Sequence, residues 1–185
     1  MVFKFVYIFF VILLFFVKSS CFSEINQKGW NAGISFSFLP SKNPGNFNFY
    51  EIEGSYLTDI ARYEDDIIFM LGFGGATGVL HHKSENGFVI QGKVEAGLGF
   101  FNNYLMVLLS TGPGFLTRYR YKDHNFGGPL TFLSSAGMRI LPWKKVGITY
   151  RFQHMSNAHL FKENNHLNLH ILGILTVNGV FKEAL

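Results

Sequence analysis

From residue 30 onward, apolar and polar side chains alternate in runs of about ten, the period of a β-strand with two unlike faces. In 30–38 the even positions are Trp30, Ala32, Ile34, Phe36 and Phe38, against Asn31, Gly33, Ser35 and Ser37. In 50–57, Tyr50, Ile52 and Tyr56 oppose Glu51, Glu53 and Ser55. The pattern is clearest in 88–100, where Phe88, Ile90, Val94, Ala96, Leu98 and Phe100 alternate with Gln91, Lys93, Glu95, Gly97 and Gly99. Residues 66–80 and 105–116 are more uniformly apolar, with glycine at many opposite positions, and 130–140 puts Thr131, Ser135 and Arg139 on its polar side. With 146–156 and 167–181 the pattern predicts eight strands, broken by Gly, Pro, Asn and Asp, and neither a helix nor an internal repeat between them.

Eight such strands imply an all-β fold, an eight-stranded antiparallel β-barrel. Two barrels fit the pattern: a soluble one with its apolar face inward, and a transmembrane one with that face against lipid. The 22 Phe and 8 Tyr exceed what a small cavity could hold and favour the membrane version. Its lumen would then carry Glu51, Glu53 and Glu95 against Lys93, Arg139 and Arg151. Eight strands enclose a space just wide enough for side chains, so no channel is expected.

Residues 1–23 read as a removable leader, with Lys4, an apolar run Phe5–Val17 too short to span a bilayer as a helix, and small residues at Cys21 and Ser23 before Glu24. Residues 24–185 then form the barrel domain. Cleavage removes the sole cysteine, and with it any disulfide or thiol chemistry. It also removes Lys4 and Lys18, lowering the formal charge from +4 to +2, too mild to suggest nucleic acid as a partner.

An exported barrel with both termini in the periplasm has its longer connections outside: 39–47, 81–87, 118–128 and 157–166. Trp30 and Trp143 would mark the periplasmic rim. The outer loops carry Lys42, Lys83, Arg118, Arg120, Lys122 and Lys162 against Glu85, Asp123 and Glu163, a basic rim suited to outer-membrane lipids with phosphorylated headgroups.

Candidate chemistry lies at the end of the seventh strand. His154 and Ser156 share the phase of Val146, Ile148, Tyr150 and Phe152, the apolar face. Polar side chains there cost free energy against lipid, so a base beside a hydroxyl nucleophile is more than decoration. Serine needs such a base, and histidine is the usual one. The substrate implied is an ester in the outer leaflet, reached sideways. His81, His82, His159, His166 and His170 have no partners at metal-binding spacing, so neither metal nor other cofactor is expected.

An exported eight-stranded barrel whose seventh strand ends His154-x-Ser156-Asn157-Ala158, followed by a polar loop and a last strand, resembles the outer-membrane lipid A 3-O-deacylases. The resemblance implies hydrolysis of the ester-linked 3-hydroxyacyl chain at position 3 of lipid A, with lipopolysaccharide the substrate and the site at the outer leaflet. It implies Ser156 as nucleophile and His154 as base and acid. It puts Asn168 where the family has a glutamate, orienting His154, with Glu163 a fallback acid. Strict alternation with Leu167, Leu169 and Ile171 on the lipid face would turn Asn168 away from His154, so a local irregularity is expected. The resemblance further suggests the Asn164 side chain and a backbone N–H near His159, where the family has glycine, as oxyanion donors, with Asn157 shaping the turn. A phospholipase or a non-enzymatic small barrel are the other readings, and the sequence leaves a homodimer open.

Overall fold

The computed structural model describes residues 28–39, 46–63, 67–101, 103–143 and 145–179. The proposed leader, Lys42 and the last six residues lie outside these. Eight long strands close into an antiparallel barrel: β1 (Lys28–Leu39), β2 (Phe47–Tyr63), β3 (Ile67–His82), β4 (Glu85–Phe100), β5 (Leu105–Leu116), β8 (Leu130–Trp143), β9 (Val146–Ser156) and β10 (Leu167–Gly179). Each pairs with its sequence neighbour in the barrel, and β10 closes onto β1, so no strand edge is left open. A short ribbon, β6 (Arg120–Tyr121) with β7 (His124–Asn125), stands within the connection from β5 to β8.

The predicted eight strands are therefore present, each longer than or close to its expected span. One connection differs. The 81–87 segment expected as an outer loop is mostly strand: His82 pairs with Glu85, leaving a two-residue turn in which Lys83 adopts a left-handed φ of 55°.

Apolar residues cover the outside of the barrel. Ile34, Ile52, Phe88, Ile90 and Ile174 are each more than half exposed, as a wall facing lipid requires. Trp30 and Trp143 are likewise exposed, at the end of the barrel opposite His154 and Ser156, and Trp30 packs on Tyr56 with ring centroids 5.1 Å apart.

The lumen has three layers. In the middle, Lys93 Nζ meets Glu53 Oε2 at 2.6 Å and Glu95 Oε1 at 2.8 Å. Arg151 pairs with Glu51 and, at 3.1 Å, with Glu53; Ser35 Oγ donates to Glu51 Oε1 at 2.8 Å. Arg139, buried beside Glu95, makes three charges of each sign, as expected from the sequence. The ends of the lumen, however, are apolar. Phe47, Phe49, Leu80, Leu133, Met155, Leu167, Leu169 and Ile171 fill the outer end. Ile68, Met70, Met106, Leu141, Leu175 and Val177 fill the other. Among the described residues, apolar plugs thus lie on both sides of the charge layer.

This arrangement corrects the expected phase of the last strand. Leu167, Leu169 and Ile171 are fully buried in the lumen, so regular alternation puts Asn168, His170, Leu172 and Ile174 on the outer wall. No irregularity is needed to turn Asn168 toward His154.

Candidate active site

Strand β9 keeps strict alternation to its end: Thr149, Arg151, Gln153 and Met155 are buried inside, while Tyr150, Phe152 and His154 face out. Ser156 has the same outward phase and pairs with Phe132 across β8, but it is largely covered, 6% exposed. Thr131 Oγ1 donates to the Ser156 carbonyl at 2.8 Å and pins the end of the strand. A two-residue step along a strand separates His154 from Ser156 by about 6.6 Å at the backbone, a gap two side chains leaning toward each other can close.

Asn168 stands directly opposite His154 in the β9–β10 ladder. Its Oδ1 lies 2.7 Å from His154 Nδ1. An amide oxygen can only accept, so Nδ1 carries the proton and Nε2 keeps its lone pair for base chemistry. The His166 ring packs against His154 with centroids 5.5 Å apart. One rung deeper, the Tyr150 hydroxyl meets His170 Nδ1 at 2.9 Å, with Phe38 and Phe152 around them.

The loop 157–166 is tied down by Asn157, which is fully buried. Its Nδ2 donates to the carbonyls of Phe126 (2.7 Å) and Glu163, its Oδ1 accepts from the His159 N–H at 2.9 Å, and its own N–H donates to Asn164 Oδ1 at 3.0 Å. With Asn164 Oδ1 so placed, its Nδ2 is the side-chain donor left to offer. The His159 N–H is already used inside the turn. Ala158 and His159 have φ of 51° and 64°, the left-handed region that non-glycine residues adopt at a penalty. Glu163, the fallback acid, bonds Asn125 on the outer ribbon instead of His154.

That ribbon caps the outer end. Phe47 stacks on His82 (4.3 Å) and meets Tyr121, His124 and Phe126 edge-on. Hydrogen bonds from Lys83 and His82 hold the exposed Asp123 carboxyl down at about 2, while burial pushes the His124 imidazole below its usual range. Of the expected basic rim, Lys83 is thus paired with Asp123, and Arg118 with Glu85 at 2.6 Å. Arg120, Lys122 and Lys162 remain exposed cations around the mouth.

The sequence did not point to two further residues. Ser134 pairs with His154 across the β8–β9 ladder, and Thr111 pairs with Ser134 across β5–β8. Both share the outward face, and their hydroxyls are 2.8 Å apart. Thr111, Ser134, His154 and Asn168 thus form one polar row across four strands. The missed signal was a lone hydroxyl in phase with apolar neighbours on each of β5 and β8.

No group of three His, Cys, Asp or Glu side chains among the described residues could hold a metal ion. No curated protein sequence matches the chain. Among solved structures, the crystal structure of the outer membrane enzyme PagL is similar at 14% identity, with a TM-score of 0.61 over 80% of this chain and 97% of that one. The N-terminal β-barrel domain of Pseudomonas aeruginosa OprF is similar at 13% identity and a TM-score of 0.45, over 84% of this chain and 99% of that domain. The likeness to PagL concerns the fold; family membership comes from the sequence, because the family model "Lipid A 3-O-deacylase (PagL)" matches residues 18–175. The chain is an outer-membrane eight-stranded barrel belonging to the lipid A 3-O-deacylase (PagL) family.

Proposed function

We propose that this barrel is a serine esterase that removes the ester-linked 3-hydroxyacyl chain at position 3 of lipid A, working from the outer leaflet. The observation that carries the reading is the 2.7 Å contact of Asn168 Oδ1 with His154 Nδ1 on a wall that otherwise faces lipid. A histidine anchored there by its Nδ1 gains nothing for folding that a leucine would not give. It gains a base with Nε2 directed to chemistry.

In this reading Ser156 Oγ attacks the ester carbonyl as its proton passes to His154 Nε2. The carbonyl oxygen becomes an oxyanion, and Asn164 Nδ2 is the donor offered to it first. Collapse of the tetrahedral intermediate breaks the bond to the sugar oxygen, which takes the proton back from His154. A water, deprotonated by His154, then hydrolyses the acyl-serine, releasing the 3-hydroxy fatty acid and restoring the enzyme. Asn168 holds the tautomer throughout, but as a neutral amide it stabilises the imidazolium less than a carboxylate would. Substrate enters along the wall from the membrane, and Arg120, Lys122 and Lys162 around the mouth would attract its phosphates.

The test is mass spectrometry of lipid A from cells expressing the wild type or Ser156→Ala. Loss of one 3-hydroxyacyl chain with the wild type alone supports the reading. Identical, unmodified lipid A in both would remove it. Loss of phospholipid acyl chains instead would turn the same machinery into a phospholipase.

A further inference from the structure

Followed across the barrel, the row of the candidate site changes character. Its registered partners run Asn168, His154, Ser134, Thr111, then Val94, Phe73, Tyr56 and Trp30. It begins at the outer end and finishes at Trp30 beside the opposite rim. The row therefore slopes. With strands about 4.8 Å apart and tilted by about 40°, each step descends roughly 3 Å into the leaflet. Ser134 lies about one such step below His154 and Thr111 about two, where acyl chains leave the headgroup.

Every other outward side chain on these two strands is apolar. On β5 they include Val107 and Phe115, 44% and 46% exposed; on β8 they include Leu130 and Met138, 49% and 50% exposed. Thr111 and Ser134 are half-buried among them. The neighbouring pair Ser110 and Ser135, 2.7 Å apart, points to the lumen on the same two strands, where polar neighbours surround it. The outward pair has lipid in front of it. Two hydroxyls bonded to each other use one O–H proton, and the second finds no acceptor among the described residues. In hydrocarbon an unsatisfied donor is costly, so an oxygen from the lipid is the natural partner.

We propose that Ser134 and Thr111 form a substrate subsite that takes a hydroxyl or carbonyl oxygen borne on the acyl portion of the lipid whose ester is cleaved at Ser156. This rests on the esterase reading and adds what the enzyme recognises beside the scissile bond. The adjacent chain of a multi-acylated lipid lies about one strand spacing to the side of the cleaved one. Its linkage carbonyl or 3-hydroxyl is then at the lateral offset and depth of the hydroxyl pair. A single-chain ester has no oxygen to place there.

The experiment compares the purified barrel and the double variant Ser134→Ala/Thr111→Val on two substrates in mixed micelles: hexa-acylated lipid A and the p-nitrophenyl ester of an unsubstituted fatty acid. On lipid A the variant should lose about five- to tenfold in kcat/KM, mostly through KM, as expected for the one hydrogen bond to an uncharged partner that the pair has left to give. On the plain ester it should stay within about twofold of wild type, and the exchange Ser134→Thr/Thr111→Ser should retain lipid A activity. No loss on lipid A, or equal losses on both substrates, overturns the subsite. If the plain ester is not turned over, a loss confined to kcat on lipid A does the same. Ser156→Ala in both assays separates the two claims. Turnover that depends on Ser156 but ignores the hydroxyl pair removes the subsite alone. Turnover that survives Ser156→Ala and vanishes with Ser134→Ala makes Ser134 the nucleophile and removes both.

Discussion

Replacing Asn168 by aspartate should make this enzyme faster. Aspartate is the isostere of asparagine, so Asn168→Asp leaves a carboxylate oxygen where the amide oxygen now sits, 2.7 Å from His154 Nδ1. The ground state gains little, because neutral imidazole already has its hydrogen bond. In the proposed mechanism the transition state gains, because His154 becomes a cation as Ser156 attacks. Two unit charges about 4 Å apart attract by about 1 kcal/mol in water and about 4 kcal/mol at an effective dielectric of about 20. The half-buried site lies between these limits, and a charge-assisted hydrogen bond exceeds a neutral one by about 1 kcal/mol. After desolvation of the new carboxylate, a net transition-state gain of about 1–2 kcal/mol remains, or roughly 5- to 30-fold in kcat. Asn168→Glu should change activity in the same direction, but its extra methylene must fold back to keep the contact. Asn168→Leu, which leaves Nδ1–H without an acceptor, should lose about 100-fold. The assay is release of 3-hydroxy fatty acid from lipopolysaccharide in vesicles, with kcat taken at saturation. Asn168→Asp at or below wild type, together with Asn168→Leu equal to wild type, would refute the role given to Asn168.

Three other outcomes follow from the geometry. Gly127 has a φ of 85°, and a Cβ there would come 2.0 Å from the Glu163 carbonyl oxygen, so Gly127→Ala should dislodge the 157–166 loop; activity should fall at least about tenfold while the folded barrel keeps its heat-modifiable gel mobility. Arg151→Met leaves Glu51 and Glu53 in the lumen short of one cation and should destabilise the barrel by about 3–5 kcal/mol, read from urea unfolding in lipid vesicles; an unmoved midpoint would contradict the charge layer. The outer ribbon should loosen in acid. His124 titrates lower when folded than when free, so its contribution is full above about pH 6.5 and declines below it, while Asp123 adds a second loss only as pH falls from about 4 toward 2. Amide hydrogen exchange of residues 118–129, corrected for intrinsic rates, should therefore be faster at pH 5 than at pH 7.5. Equal protection at both would contradict it.

Much of this was legible in the sequence because a membrane barrel writes its two faces into alternate positions. Strands such as 88–100 carry apolar residues outward and Gln91, Lys93 and Glu95 inward, so their phase is plain. The last strand is different. Its inward residues Leu167, Leu169, Ile171, Leu175 and Val177 fill apolar plugs, while Leu172 and Ile174 face lipid, so both faces are apolar and the period of two disappears. Only pairing with β9 fixes that phase and brings Asn168 to His154. Ser134 stands next to Ser135 and Thr111 next to Ser110, one hydroxyl on each face of its strand, so the outward one was masked by its inward neighbour. The two-residue strands of the ribbon are too short to leave a pattern. The His154–Ser156 pair was readable for the opposite reason, being polar in a phase otherwise apolar.

The central claim is that Ser156, activated by His154, attacks an ester from the outer wall of the barrel. It is tested most directly by labelling the folded protein in lipid vesicles with a long-chain alkyl fluorophosphonate, which reacts with activated serines, and mapping the adduct by peptide mass spectrometry. The account predicts a single phosphonyl adduct on Ser156 in the wild type and none in His154→Gln. An adduct on another residue, or one on Ser156 that forms equally well without His154, would contradict it.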